Sequence, residues 1–231
     1  MDDALFKLLK SVNTPTVCDA LAATRPNRAF TAYTHGTPLA TAPDAPPIVG
    51  YACTAKIAAK TPSPENPEAV RERRLAYYRY MANAPKPAVA VVEDMDYPGS
   101  VGAFWGEINT TLHRELGISG ALTNGVVRDL GTLPDEFPVI AGSAGPSLAF
   151  AHVSGFGTPV SVFGLDVRAG DLVHADRHGA VVIPPDALPD LHDGITRLVE
   201  AEKALIEATR EPGFDITKLE AAWDKFEKTR R

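Results

Sequence analysis

An apolar strand, a helix and a second strand, in that order, constrain the fold of this chain more than any other feature. Residues 88–92 form a short, continuously apolar run, which is typical of a strand buried on both faces. Residues 102–116 are predicted to form a helix that ends at Gly117, and residues 119–123 are predicted to form the next strand. This order predicts a parallel βαβ unit and places the chain in the α/β class.

Further helices flank this unit, and the second half of the chain is predicted to be rich in strands. Thr14 is predicted to cap a helix with Pro15 in its first turn. The other predicted helices lie at residues 3–10, 68–83, about 188–210 and 215–231. The other predicted strands lie at residues 48–60, 137–141, 158–163, 166–167, 171–175 and 180–183. No linker divides the chain, so we expect a single domain over residues 1–231, with the βαβ unit packed on a β-rich layer.

Composition excludes several classes of protein. The chain has 231 residues, of which 45% are hydrophobic, and a net charge of −6, which excludes a dominantly disordered state and argues against a basic nucleic-acid surface. No apolar run reaches the roughly 18 residues that a membrane helix needs, and the N-terminus lacks the pattern of a secretory signal. We therefore expect a cytoplasmic protein without a nucleic-acid or membrane partner, in which Cys18 and Cys53 are reduced, buried thiols.

Several common catalytic motifs are absent from the sequence. It contains no phosphate-binding Gly-x-x-x-x-Gly-Lys-Ser/Thr loop and no Gly-x-Gly-x-x-Gly after a strand, which argues against nucleotide hydrolysis and dinucleotide redox chemistry. It also has no Gly-x-Ser-x-Gly nucleophile elbow, so serine hydrolysis is unsupported. His174 and His178 flank a predicted turn, which is weak evidence for a metal-binding pair, and a structural role for each is the alternative.

Arg128 and Asp129 are the most informative pair in the sequence. They stand side by side just after the predicted strand 119–123, at the sheet edge where open α/β folds bind ligands. An arginine there can bind a carboxylate through two hydrogen bonds, and an aspartate can hold a hard divalent cation. The alternative is that the two side chains only close a turn.

Two other acidic stretches could face the same edge. Glu93, Asp94 and Asp96 follow the apolar strand, and the alternative for each is a solvated loop. Glu107 falls in the first turns of the helix predicted at 102–116, where free backbone N–H groups attract anions. Its alternative role is a favourable charge near the helix N-terminus.

Three stretches resemble the RraA-like family, which includes 4-hydroxy-4-methyl-2-oxoglutarate/4-carboxy-4-hydroxy-2-oxoadipate aldolases and the regulator of RNase E activity. Residues 117–129 read Gly-x-x-Gly-x-x-x-x-Gly-x-x-Arg-Asp, residues 159–184 resemble the family's β segment, and residues 16–21 resemble its N-terminal helix start. The resemblance spans about residues 14–205, with residues 206–231 as a C-terminal helical extension. It implies the swivelling β/β/α fold of the family, and its motifs are specific for the family rather than for one activity.

The resemblance implies a metal-dependent (class II) pyruvate aldolase that cleaves a 4-hydroxy-2-oxo acid and could also decarboxylate oxaloacetate. Arg128 would bind the substrate and Asp129 would coordinate Mg²⁺ or Mn²⁺, with Glu107 in a neighbouring acidic position. A glutamate from an adjacent subunit, Glu200 or Glu202, would complete the water shell of the metal in a homotrimer or homohexamer. Backbone amides before the helix would also contact the substrate, and they belong to Ala103, Phe104, Trp105 and Gly106.

The chain departs from the family pattern at Asn124, where many members have Asp, and this departure puts the turnover or the substrate in doubt. The bulky pair Phe104 and Trp105 could reshape specificity. The alternative function that the resemblance implies is a non-catalytic regulator that binds an RNA-degrading enzyme. A methyltransferase is a third reading, and no glycine-rich cofactor loop supports it.

Overall fold

A mixed eight-stranded sheet forms the centre of the molecule in the computed structural model, which describes residues 1–229. The helices are α1 (Asp3–Leu9), α2 (Thr14–Ala23), α3 (Pro67–Ala82), α4 (Glu107–Glu115), α5 (Leu188–Thr209) and α6 (Ile216–Thr229). The strands are β1 (Leu39–Ala40), β2 (Ile48–Ala58), β3 (Ala88–Asp94), β4 (Ala103–Trp105), β5 (Ile118–Thr123), β6 (Val126–Val127), β7 (Val139–Ala141), β8 (Ser143–Ala144), β9 (His152–Phe156), β10 (Val160–Val162), β11 (Leu165–Val167), β12 (Leu172–Asp176) and β13 (Gly179–Ile183).

The predicted βαβ unit is confirmed, and it lies in the middle of the central sheet. The strand order is β1-β7-β5-β3-β2-β12-β13, with β9 also paired to β2. Strands β2, β3, β5 and β7 run parallel, whereas β1, β9, β12 and β13 are antiparallel to their neighbours. Most strands of the second half therefore extend the same sheet, which explains why the two halves share one core. The fold is a single mixed α/β domain with C-terminal helices.

Three apolar clusters hold the layers together. On one face of the sheet, Tyr77 and Met81 of α3 pack with Trp105 and Phe137. The other face is covered by the hairpin of β10 and β11, whose valines and leucine pack on β3 and β5. Helices α1, α2 and α5 pack against β12 and β13. Strand β3 is buried between these layers on both faces, which is why its sequence is apolar without alternation.

Side-chain caps fix the starts of α2 and α3. Asn66 Oδ1 accepts a hydrogen bond from the Ala69 amide at 2.8 Å, and Pro67 occupies the first turn of α3. The cap of α2 is Asn13 rather than the predicted Thr14, because Asn13 Oδ1 accepts from the Thr16 amide at 2.9 Å. Thr14 is already the first residue of that helix.

The helix predicted at residues 102–116 begins only at Glu107, and this prediction was wrong for its first five residues. Ala103–Trp105 is instead strand β4, which pairs in parallel with β6. All three of its side chains are buried, and aromatic residues fit a buried strand better than a helix start. A three-stranded sheet of β4, β6 and β8 thus leads directly into α4.

The structure also tests the predictions for the two cysteines and for His174 and His178. Both cysteines are free; Cys53 is buried, whereas Cys18 is partly exposed rather than buried as expected. His174 is buried, with its Nε2 2.8 Å from the Leu9 carbonyl oxygen, and His178 is exposed, so the two do not form a metal-binding pair.

Within residues 1–229, no helix has the length and apolar character required to cross a membrane. The last two residues of the helix predicted at 215–231 lie outside the described residues.

Candidate active site

Arg128 and Asp129 lie together where β6 ends. The Arg128 amide donates to the Trp105 carbonyl oxygen at 2.8 Å, which ties the segment to β4. Asp129 then adopts a left-handed backbone conformation with φ of 60°, which aspartate tolerates better than most residues. Arg128 Nε lies 3.4 Å from Asp129 Oδ2, and both side chains are about one third exposed. The two side chains therefore contact each other and are also accessible to a ligand.

The start of α4 holds the Asp129 carboxylate in place. The Glu107 amide donates to Asp129 Oδ2 at 3.1 Å, so this carboxylate supplies the cap that Gly106 lacks. A Cβ atom on Gly106 would lie 2.6 Å from Asp129 Oδ2 and 3.0 Å from Arg128 Nε. Only glycine leaves room for this close approach, so Gly106 is part of the site because of its size.

A cleft of about 160 Å³ opens beside Arg128. Its lining residues come from α3, β4, α4 and the loop before β9, and they are Arg74, Tyr78, Phe104, Gly106, Ile108, Asn109, Arg128, Leu148 and Ala151. The predicted substrate-binding residues Phe104, Gly106 and Arg128 are thus brought together at one cleft. No sequence pattern indicates Arg74, Tyr78 and Asn109 as site residues, because α3 and α4 approach each other only in the folded chain.

One wall of the cleft is a chain of hydrogen bonds. The Tyr78 hydroxyl donates to Asn109 Oδ1 at 2.8 Å, and Asn109 Nδ2 donates to the Phe104 carbonyl oxygen at 2.6 Å. Burial raises the pKa of Tyr78, and the positive charge of Arg74 opposes this effect. The wall is therefore polar, neutral and fixed by partners within the protein.

A buried pair, Tyr77 and His113, lies behind this wall and is hydrogen-bonded to it. Tyr77 Oη lies 2.6 Å from His113 Nε2, and His113 Nδ1 lies 2.6 Å from the Asn109 carbonyl oxygen. Because a carbonyl oxygen only accepts, Nδ1 carries the proton and Nε2 accepts from the Tyr77 hydroxyl. Burial lowers the pKa of His113 to about 4, so the ring is neutral near pH 7.

The remaining predicted residues differ in their surroundings. Ala103 and Trp105 are buried in β4, and the Ala103 amide already donates to the Ser147 carbonyl oxygen. Glu107 is exposed at the start of α4, next to Asp129. Glu200 and Glu202 lie on α5, which packs on α2 and α6, and their predicted contribution to a neighbouring subunit's site stays a prediction.

The acidic residues at the end of β3 and just after it have structural partners instead. Glu93 pairs with Lys56 at 3.4 Å, and Asp96 Oδ2 accepts the amides of Ala59 and Lys60. Asp94 is buried, and burial raises the pKa of its carboxyl group.

Asn124 also belongs to this region of the sheet edge. Its side-chain oxygen accepts the Asp94 amide at 2.7 Å, so Asn124 fixes the sheet edge rather than facing the cleft. An aspartate at this position would also offer an acceptor oxygen, but it would bury a charge beside the Asp94 carboxylate.

The donors present fit a divalent cation that keeps most of its water. Within residues 1–229, no group of three or more His, Cys, Asp or Glu side chains could hold a metal. Asp129 offers one carboxylate at the cleft, and Glu107 is the adjacent acidic side chain. Mg²⁺ commonly binds through one or two carboxylates and several waters, so this donor set suits a hydrated hard cation better than zinc.

The sequence is similar to a known protein family and to a curated relative. Residues 14–182 of this chain match the family model named RraA-like, which is described as Aldolase/RraA. An uncharacterized protein from Methanocaldococcus jannaschii is 28% identical over 110 residues, which cover 46% of this chain and 51% of that protein. The chain thus matches about half the length of this curated relative.

Two solved structures have a similar fold. An uncharacterized protein from Pseudomonas syringae pv. tomato str. DC3000 has a TM-score of 0.74 and 20% identity, over 97% of this chain and 94% of that chain. Streptomyces coelicolor RraAS2, described as an unusual member of the RNase ES inhibitor RraA protein family, has a TM-score of 0.68 and 20% identity, over 88% and 96%. At such identities the likeness shows the fold alone.

Proposed function

The chain belongs to the RraA-like family, and from this premise we propose that it is a divalent-metal-dependent lyase that cleaves a 4-hydroxy-2-oxo acid and releases pyruvate. The family includes both aldolases and RNase E inhibitors, so the chemistry of the site has to distinguish between them. The observation that carries the proposal is the Arg128–Asp129 pair at the cleft, with Asp129 held by the Glu107 amide.

Arg128 is the residue that would bind and orient the substrate. Its guanidinium group lines the cleft and is about one third exposed, so it can donate two parallel hydrogen bonds to a carboxylate. The backbone of Arg128 is fixed by the Trp105 carbonyl oxygen, which limits the positions that the guanidinium can reach. Such fixed placement lowers the entropic cost of aligning the bond that breaks.

The reaction requires positive charge next to the 2-oxo group. The bond between C3 and C4 breaks, the C4 hydroxyl loses its proton and becomes a carbonyl, and the electron pair remains on pyruvate as an enolate that is protonated at C3. Arg128 stabilises the charge that develops. A bound Mg²⁺ or Mn²⁺, held by Asp129, would supply further positive charge at the same place. Exposed Glu107 is placed to exchange protons with water, with Glu200 or Glu202 of a neighbouring subunit as a further acid.

Exposed apolar side chains at the cleft favour a site covered by another copy of the chain. Ile108 is 71% exposed and Leu148 is 41% exposed, and both line the cleft. We propose a homotrimer or homohexamer in which a neighbouring subunit covers this surface. The same surface would serve the alternative function, a non-catalytic regulator that binds an RNA-degrading enzyme. Light scattering coupled to size-exclusion chromatography would measure the oligomeric state.

The test is pyruvate release from 4-hydroxy-2-oxo acids and from oxaloacetate, with and without Mg²⁺ or Mn²⁺. We expect Arg128→Ala and Asp129→Ala each to lower kcat/KM by about a hundredfold or more. Arg177→Ala is the matched control, because Arg177 is an exposed arginine paired with Asp44 on another part of the surface. If the loaded protein released no pyruvate, and a purified ribonuclease bound Arg128→Ala as well as it bound the wild type, the regulator would be the better assignment.

A further inference from the structure

Arg74 is a second arginine at the cleft that the proposed reaction leaves without a role. Four arginines lie on α3, at positions 71, 73, 74 and 79, and Arg74 is the one that lines the cleft. Its neighbour Arg73 forms an ion pair with Glu65. Among residues 1–229, by contrast, no carboxylate lies within ion-pair distance of Arg74. Its guanidinium group is therefore available to an anion that enters the cleft.

The position of this guanidinium group follows from its neighbour one helical turn away. Arg74 and Tyr78 are spaced i and i+4, so their side chains lie on the same face of α3. The positive charge of Arg74 counteracts the effect of burial on the pKa of Tyr78, which places the charge close to the phenol. The Tyr78 phenol in turn is hydrogen-bonded to Asn109 at 2.8 Å, in the wall of the cleft. The guanidinium group of Arg74 thus lies beside that wall rather than only in solvent.

The charged side chains that line the cleft are positive, and the Asp129 carboxylate lies beside them, 3.4 Å from Arg128 Nε. Among the described residues that line it, the charged side chains are Arg74 and Arg128, and both are positive. The two other polar side chains, Tyr78 and Asn109, already use a donor within the wall. A monoanionic 2-oxo acid would satisfy one arginine and leave the other unpaired, whereas a dianion would pair with both.

We infer that Arg74 is a specificity-determining residue that binds the second carboxylate of a 2-oxo diacid whose first carboxylate is bound by Arg128. The inference deepens the proposed function and rests on it. The second carboxylate lies beyond the carbon that becomes the new carbonyl, so it leaves with the non-pyruvate product as a 2-oxo or aldehydic acid. Arg74 does not contact the bond that breaks, and its effect falls on substrate choice.

Two pairs of compounds test this inference, and each pair differs only by a carboxylate in place of a methyl group. The substrates are 4-hydroxy-2-oxoglutarate and 4-hydroxy-2-oxopentanoate. The ligands are 2-oxoglutarate and 2-oxopentanoate, which lack the 4-hydroxyl group and so bind without aldol cleavage. Steady-state kinetics gives KM and kcat for the first pair, and isothermal titration calorimetry gives Kd for the second. Both are measured on the metal-loaded protein at one ionic strength.

We expect the wild type to bind each diacid more tightly than its monoacid partner. Arg74→Gln should raise KM and Kd for the diacids by about tenfold, since one charge-assisted hydrogen-bonded pair at a partly exposed site is lost. The same variant should leave kcat within about twofold and the monoacid values unchanged. Arg79→Gln is the matched control, because Arg79 lies on the same helix, is exposed and does not line the cleft.

Each other outcome overturns the inference in a recognisable way. If Arg74→Gln weakened the diacids and monoacids equally, or changed neither, Arg74 would have no part in substrate choice while the proposed lyase function stood. If the wild type released pyruvate from both substrates but showed no preference for the diacid, the inference would fail in the same way. If the wild type bound none of the four compounds and cleaved neither substrate, the proposed function would fail together with the inference.

Discussion

Acidification should destabilise this protein through His113, and the size of the effect can be worked out from the structure. The ring is fully buried between Tyr77 and the Asn109 carbonyl oxygen, and its pKa falls from 6.5 to about 4 because burial penalises the charged form. The unfolded chain therefore binds a proton at a pH where the folded chain does not. The stability that His113 contributes is present above pH 6.5 and is lost as the pH falls toward 4.

The magnitude follows from the difference between the two pKa values. Each unit corresponds to about 1.4 kcal/mol, so the full effect is about 3 kcal/mol, of which about 2 kcal/mol is lost between about pH 7.5 and about pH 5. Urea unfolding followed by circular dichroism, at one protein concentration, would measure the free energy of unfolding at both pH values.

The variant His113→Gln isolates this contribution. It should be less stable than the wild type at about pH 7.5, since the Tyr77 contact is lost, but it should lose about 2 kcal/mol less on acidification. Other titrating groups, including buried His174, whose pKa is also lowered by burial, contribute to both proteins and cancel in the difference. Equal losses in the two proteins would show that His113 does not stay neutral in the folded state, and the reasoning would be wrong.

Three substitutions test other features of the fold and site. Gly106→Ala should lower lyase activity at least tenfold with an unchanged circular dichroism spectrum, because the new Cβ would lie 2.6 Å from Asp129 Oδ2 and displace that carboxylate. Asn66→Ala should lower the free energy of unfolding by about 1 kcal/mol in urea, because α3 loses its cap. Gly142→Ala should lower the melting temperature strongly, since its Cβ would lie 2.2 Å from the Asn124 carbonyl oxygen and the backbone would have to move.

Local sequence patterns predicted the elements whose character is decided by neighbours in the chain. The apolar run of β3 and the proline in the first turn of α2 are of this kind, although the cap of α2 is Asn13 and not Thr14. The prediction of a helix from residue 102 was wrong for its first five residues, because Ala103–Trp105 pairs with Val126–Val127 and forms a strand. Strand pairing is a long-range interaction, and no local pattern at Phe104 or Trp105 reports it.

The candidate site divides in the same way. Arg128, Asp129 and Glu107 could be found from the sequence, because each lies next to a strand end or helix start and together they form part of a recognisable motif. Arg74, Tyr78 and Asn109 could not, because they belong to α3 and α4, which form the cleft only after both helices pack on the same face of the sheet.

The sequence by itself therefore determined the fold class, the family motif and the charged pair at the sheet edge, since these depend on hydrophobic patterning and on residues adjacent in the chain. Only the tertiary structure decided which helix faces line the cleft and that Gly106 must lack a side chain there. It also decided that His113 is held neutral in the core. These properties depend on distances and burial between segments far apart in the chain, and packing sets both.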